Sequence, residues 1–142
     1  MAMDIEKWVS DETAAWSSQD IKKILSLYTD DCIYEDLAVG KVSNGREELR
    51  VFIKGAFIAF HDFKVEIKSF FASPDHVCIE NVLTGTHMGN IPGLPPATGK
   101  SLSDRGAPIC ELREGKAIRA SDYYDMASVM RQLGLLPSPP QP

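Results

Sequence analysis

Asp122 is a carboxylate where its surroundings call for a hydrophobe. With the two-residue period of a strand, Ile118, Ala120, Asp122 and Tyr124 share one face. A carboxyl held among apolar side chains has its pKa raised, which suits it for proton transfer near neutral pH. Parity supports equally well a strand-end carboxylate that bonds backbone N–H groups or an arginine. Glu12 stands on the apolar stripe of a first helix, with Trp8 and Trp16 beside it. The competing reading there is a middle turn that reaches solvent. Asp36 closes the run Tyr34-Glu35-Asp36 ahead of Leu37-Ala38-Val39-Gly40. As a loop carboxylate it would form an Asx-turn. His87 shares strand parity with Val77, Ile79, Asn81, Leu83 and Gly85. A lone histidine on such a face is more often a satisfied core residue than a catalyst. Asp104 shares parity with Leu102 but lies near a strand start, so it carries little weight.

Other chemistries lack their residues. No GxGxxG or GxxxxGK[ST] loop offers a phosphate cradle, no HExxH occurs, and no GxSxG elbow is present. His61, His76 and His87 are scattered, and Cys32, Cys78 and Cys110 include no CxxC pair. These features predict neither a metal site nor a dithiol redox centre, but reduced thiols in a cytoplasm. A formal net charge of −5, with Lys22-Lys23 the only adjacent basic pair, argues against a nucleic-acid partner. The opening MAMDIEKW has no basic or apolar signal region, and no apolar run approaches a membrane span. The expectation is therefore a cytoplasmic protein with no membrane partner and no cofactor.

The elements that must position these residues follow from periodicity. The 142 residues fit one domain, and 44% of them are apolar, enough for a real core. Residues 4–17 read as a helix, and 20–28 as a second whose stripe is Ile21, Ile24, Leu25 and Tyr28, with Ser17 or Ser18 as its cap. An extended piece spans Cys32 to Asp36. Asn44 and Glu47 resemble a capping arrangement for a third helix bearing Leu49, Phe52, Ile53, Ala56, Phe57 and Phe60. After His61-Asp62 the period falls to two. Strands are predicted from Phe63 to Phe71, Val77 to Met88, 100–113 and 116–124. A last helix, 126–133, stops at Gly134. Residues 1–136 form one domain, and the Pro-rich tail 137–142 is expected to fray. Helices first and strands second argue for an α+β fold, with the helices on one face of the sheet.

Two segments resemble known families. Thr84-Gly85-Thr86-His87-Met88-Gly89 precedes Gly93-Leu94-Pro95-Pro96-Ala97-Thr98-Gly99-Lys100. Glu114-Gly115-Lys116, Asp122-Tyr123-Tyr124-Asp125 and Arg131-Gln132-Leu133-Gly134 follow. The set resembles the SnoaL-like polyketide cyclases and related ester cyclases. That resemblance implies the cone-shaped α+β fold of nuclear transport factor 2, scytalone dehydratase and ketosteroid isomerase. It implies a strongly curved mixed sheet with N-terminal helices on its concave face around an apolar pocket. It also implies an intramolecular aldol closure without cofactor or metal, with the acid–base aspartate at Asp122. The Asp-Tyr-aromatic-Asp run is similar to limonene-epoxide hydrolases as well, where this aspartate is again catalytic. The second segment, Tyr28 to Asp36 with Gly45-Arg46-Glu47-Glu48-Leu49, is similar to ketosteroid isomerases, whose general base matches Asp36. The histidine that assists the cyclase aspartate would fall near Pro108, and the isomerase tyrosine near Glu12.

The expected function is a cofactor-independent acid–base enzyme acting on a small, largely apolar carbonyl or polycyclic compound. Asp122 and Asp36 are its catalytic candidates. His87, Tyr34, Glu12, Trp16, Phe57 and Tyr124 are its substrate-binding candidates. The rival reading is a non-catalytic ligand-binding or interaction domain, because this fold hosts many functions. On either reading a homodimer is expected, to cover the sheet face that the helices leave bare.

Overall fold

The computed structural model describes residues 4–137; the rest of the predicted tail, 138–142, lies outside the described residues. Helix α1 (Ile5–Ser17) starts where the Asp4 carboxylate accepts from the Lys7 N–H at 2.9 Å, and it buries Trp8, Val9, Ala15 and Trp16. Helix α2 (Ile21–Ser26) is shorter than expected. It is capped by Asp20, which accepts from the Lys23 N–H, rather than by Ser17 or Ser18. Ser17 instead ties α1 to the sheet: its hydroxyl accepts from the Val65 N–H and donates to the Val65 carbonyl.

Tyr28 belongs not to α2 but to the first residue of β1 (Tyr28–Asp36). A short antiparallel partner, β2 (Lys41–Asn44), leads into α3 (Gly45–Ala59), which buries Leu49, Ile53, Phe57 and Ala59. Glu48, not Glu47, returns to the start of α3, accepting from the Asn44 N–H at 3.0 Å. β3 (Lys64–Ala72) and β4 (His76–Thr86) form the long hairpin predicted by the period of two.

The single strand expected over 100–113 is two strands. β5 (Ser101–Gly106) and β6 (Ile109–Arg113) pair with successive halves of β4 on the same side. The break falls at Ala107-Pro108, because proline has no ladder N–H. Pro108 still accepts from the Ile79 N–H at 3.1 Å, so the sheet bends there without parting. β7 (Lys116–Asp122) pairs antiparallel with β6 but parallel with β1, which makes the sheet mixed. The order is β2-β1-β7-β6-β4-β3, with β5 beside β4. Helix α4 (Met126–Gln132) is capped by Asp125, and Gly134 beyond it takes φ +77°.

The curved sheet and the helices enclose one core, in which Trp8, Trp16, Ile24, Tyr28, Leu49, Ile53, Ile79 and Leu112 are buried. The Pro/Gly-rich segment after β4 starts against α3. The Met88 and Gly89 N–H groups donate to the Ala59 carbonyl, which lays the segment on the end of α3. Gly89 is required there, since a Cβ would stand 1.7 Å from the Ile58 carbonyl oxygen. Gly89→Ala is expected to destabilise the fold by about 2 kcal/mol, because backbone must shift. Urea unfolding checks this, and an unchanged midpoint would contradict the packing described.

Candidate active site

The parallel pairing of β1 with β7 sets Asp36 directly beside Asp122 at the ends of both strands. The same alignment places Tyr34 beside Ala120, so the Tyr34 hydroxyl can donate to Asp122 Oδ2 at 3.3 Å. α1 crosses this face and brings Glu12 and Trp16 over it. Tyr28 donates to Glu12 Oε1, also at 3.3 Å. Each of the two carboxyls thus has its own tyrosine, and the two tyrosine rings meet edge to face at 6.1 Å.

A cavity of about 40 Å³ lies between α1 and the sheet. Glu12 and Asp122 share it with Trp16, Tyr28, Tyr34, Asn81, Pro108 and Cys110, among others. Phe63, Val65 and Leu83 close it towards β3 and β4. The volume admits a few waters, so a ring-bearing ligand would require these side chains to move.

Burial raises the Asp122 carboxyl to about 7, the neighbouring Asp36 charge adds to the rise, and the Tyr34 hydrogen bond opposes it. Glu12 is likewise raised to about 7, first by burial and then by the charge of Asp122; Trp16 and Tyr28 pull it back. Asp122 therefore ionises against Asp36, and Glu12 ionises against Asp122. The Cys110 thiol is raised well above its ordinary value by burial and by both carboxyls, so it stays protonated. No arginine or lysine forms an ion pair with Glu12, Asp36 or Asp122 among the described residues.

Asp36 is buried but does not line the cavity. Its carboxylate is engaged by the Tyr124 hydroxyl at 2.8 Å and the Val39 N–H at 2.9 Å. It is both the loop-turn carboxylate and the charge beside Asp122. Tyr124 accordingly serves Asp36 rather than the cavity wall. Glu12 is half-buried, and its side chain lines the cavity.

His87 and Phe57 stand away from the cavity lining. His87 is 3% exposed, stacks on Phe60 at 5.4 Å, and its Nδ1 bonds the Thr98 backbone N–H. It is the satisfied core histidine of the simpler reading, because strand parity stops counting where β4 ends at Thr86. Phe57 packs edge to face on Trp16 at 5.7 Å and supports that wall from behind. Asp104 accepts from the Asp125 N–H at 3.2 Å and braces the start of α4. Parity also misplaced one neighbour. Ala117, not Ile118, joins the core, because the β6–β7 register slips between Glu111 and Leu112.

Eight of the twelve residues that line the cavity are not among the sequence candidates, Tyr28, Cys110, Pro108 and Asn81 among them. The stripe of α2 draws Tyr28 into a helix, and the break between β5 and β6 hides Cys110 and Pro108. Asn81 carried a signal in its polar side chain on an apolar parity. Among the described residues, no three His, Cys, Asp or Glu side chains converge as a metal ion requires. No helix among them is long and apolar enough to cross a membrane.

Comparisons with known proteins agree with this architecture. The SnoaL-like polyketide cyclase family model matches residues 9–133. A Catenulispora acidiphila protein with a ketosteroid isomerase-like fold, solved with trimethylamine, is 27% identical, with a TM-score of 0.78. The match covers 91% of this chain and 93% of that one. AclR, a candidate hydroxylase from Streptomyces galilaeus, is 24% identical at TM-score 0.81, over 96% and 88% of the two chains. IdmH, a candidate polyketide cyclase from Streptomyces antibioticus, is 19% identical at TM-score 0.78, over 92% and 99%. No curated protein matches the sequence. The last two similarities concern the fold, while the family match spans nearly the whole chain and includes Glu12, Asp36 and Asp122. The chain therefore belongs to the SnoaL-like polyketide cyclase family.

Proposed function

We propose that this protein is a cofactor-independent acid–base enzyme that closes a ring in a small polycarbonyl compound by an aldol step. The observation that carries the reading is the pair of raised carboxyls, Asp122 and Glu12, facing one cavity with separate tyrosine donors. Near neutral pH the mutual repulsion favours one proton on the pair. Asp122, which holds the position of the acid–base aspartate in the cyclases it resembles, is assigned as the base, and Glu12 keeps the proton.

Asp122 takes a proton from a carbon flanked by carbonyls, and the resulting enolate carbon attacks a second carbonyl of the same molecule. One C–C bond forms, and the π bond of the attacked carbonyl becomes an O–H bond with the proton from Glu12. Asp122 ends protonated and Glu12 ionised, so a proton returning through cavity water resets the pair. No atom is lost from the substrate. Glu12 supplies the acid function that a histidine near Pro108 would otherwise give. Asp36 acts through Asp122, by holding its proton affinity up.

The test is a turnover screen with a tethered triketone, a ketosteroid and an epoxide, each followed by mass-resolved chromatography. The proposal expects a cyclised isomer of the triketone, formed by wild type only. Tight binding without turnover of any compound would favour the ligand-binding reading instead, which the small cavity volume supports.

The assembly proposed is a homodimer through the outer sheet face. On β3 the residues from Lys68 to Ala72 are all exposed, with Phe71 at 74%. Light scattering should return twice the 15.7 kDa chain mass, and Phe71→Glu should shift it towards the monomer. A wild-type monomer at micromolar concentration would contradict this.

A further inference from the structure

The cavity of about 40 Å³ has no room for a ring-bearing compound until part of its wall moves. That wall is thinnest on one side. Phe63, Val65 and Leu83, which close it towards β3 and β4, are half-buried, whereas Trp16, Tyr28, Tyr34 and Cys110 are buried. β3 is also the last strand at its end of the sheet, so one of its edges has no neighbouring strand. The last turn of α1 takes that place. The Ser17 hydroxyl accepts from the Val65 N–H at 2.9 Å and donates to the Val65 carbonyl at 3.0 Å, as a paired strand would. Lys64 Nζ donates to the Ser17 carbonyl at 2.9 Å on the exposed side of the same seam. Behind it the rings of Trp16 and Phe63, both cavity residues, meet at 5.9 Å. The β3–β4 register slips between Ile67 and Ser69, so a bulge sets the stretch that walls the cavity apart from the rest of β3.

We propose that the seam between α1 and β3 is the entry latch of the cavity, held shut by Ser17. Parting it separates Trp16 from Phe63 and Val65 and opens the thin wall, while the strand ladders and the core stay in place. The seam parts easily, because hydrogen bonds at a sheet edge are remade with water and each is worth little net. The open form is a minor state, and a ligand enters only that fraction of the molecules. Ser17 therefore governs access without touching the substrate. The inference rests on the proposed reading of this cavity as the ligand site, and it concerns entry rather than chemistry.

Cys110 reports the opening. Its thiol is 2% exposed on the cavity wall, and burial keeps it protonated and unreactive. Cys32 is 0% exposed in the core and does not line the cavity, so it reports unfolding of the whole domain. The experiment treats the full chain with methyl methanethiosulfonate at about pH 8 and follows each cysteine by peptide mass spectrometry. In wild type Cys110 should react faster than Cys32, at a rate that low concentrations of urea barely change, as local opening requires. Ser17→Ala should raise the Cys110 rate about fivefold. Lys64→Met should raise it about twofold, and serves if the alanine variant does not fold. Ile24→Val, a truncation in the core on α2, should speed Cys32 about fivefold and leave Cys110 as in wild type. A Cys110 rate unmoved by both seam variants overturns the proposal. So does a Cys110 rate that rises in step with Cys32 in Ile24→Val, because only unfolding would then expose the thiol. The labelling rates involve no turnover, so a failed cyclisation screen leaves them intact, and failed labelling leaves the acid–base reading standing.

Discussion

Asp122→Asn is expected to lower kcat for the cyclised substrate by about a thousandfold while leaving the fold in place. Asparagine has the same shape and can still accept from Tyr34, so the strand end and the cavity wall should keep their geometry. What disappears is the basic oxygen. A positioned general base is worth roughly a hundredfold to ten-thousandfold, and removing the proposed base falls within that range. KM should change little, since the carboxylate acts on the proton at carbon rather than on the bulk of the substrate. Glu12→Gln should cost about a hundredfold, because the attacked carbonyl loses its proton source. Asp36→Asn should behave differently. With its charge gone, Asp122 becomes easier to ionise, so the acid limb of the rate profile moves to lower pH. Initial-rate measurements from pH 5 to 9 on the three variants check the set. Wild-type kcat in Asp122→Asn would remove the residue from the mechanism.

Stability should fall as pH rises from about 4 to about 7, the reverse of the usual acid denaturation. In the unfolded chain the carboxyls ionise near 3.8 for Asp122 and 4.5 for Glu12; in the folded chain both wait until about 7. Between those values the folded state holds protons that the unfolded state has released. The slope of unfolding free energy with pH is then negative. The contribution is fully present below about pH 4 and is lost by the time pH passes 7. In a dry site each displacement would correspond to about 4 kcal/mol; water reaching half-buried carboxyls reduces it to roughly 2 kcal/mol each. Asp122→Asn removes one of the two. It should match wild type near pH 3, where Asp122 is protonated in the folded and the unfolded chain alike, and exceed it by about 2 kcal/mol at pH 8. Urea unfolding at both values gives the comparison. Equal stability of the two proteins at pH 8 would mean that Asp122 is not held in the environment described. A variant that gains stability and loses turnover is the expected signature of a strained functional group.

The periodicity of the chain reported most of this fold because most of its residues obey a single rule. The stripe of α3 and the alternation of β3 and β4 each follow one face of one element, and a period suffices to find them. The misreadings occur where two strands compete for one neighbour. β5 and β6 share one side of β4, so the stretch 100–113 looks continuous until Pro108 interrupts it. Tyr28 continues the stripe of α2, but its carbonyl is gripped by Arg46, and the chain turns extended there. The parallel contact of β1 with β7 joins residues 88 positions apart, as in Tyr34 with Asp122. No local pattern encodes such a contact.

The site was legible in the same uneven way. Asp122 stands out as a carboxylate among hydrophobes, and the resemblance to the cyclases implies the acid–base role proposed for it. Glu12 stood out too, but whether its turn faced water or a cavity depended on how α1 crosses the sheet. His87 sat on the right parity and in a familiar motif, yet it lies just past the end of its strand, where it packs on Phe60 and Thr98.

The most direct test of the central claim is the titration of the Asp122 carboxyl carbon, followed by ¹³C NMR from pH 4 to 9 in wild type. The spectrum of Asp122→Asn identifies the resonance. The acid–base pair described here requires a midpoint near 7. A midpoint near the ordinary 3.8 would show a solvated carboxylate and contradict the account.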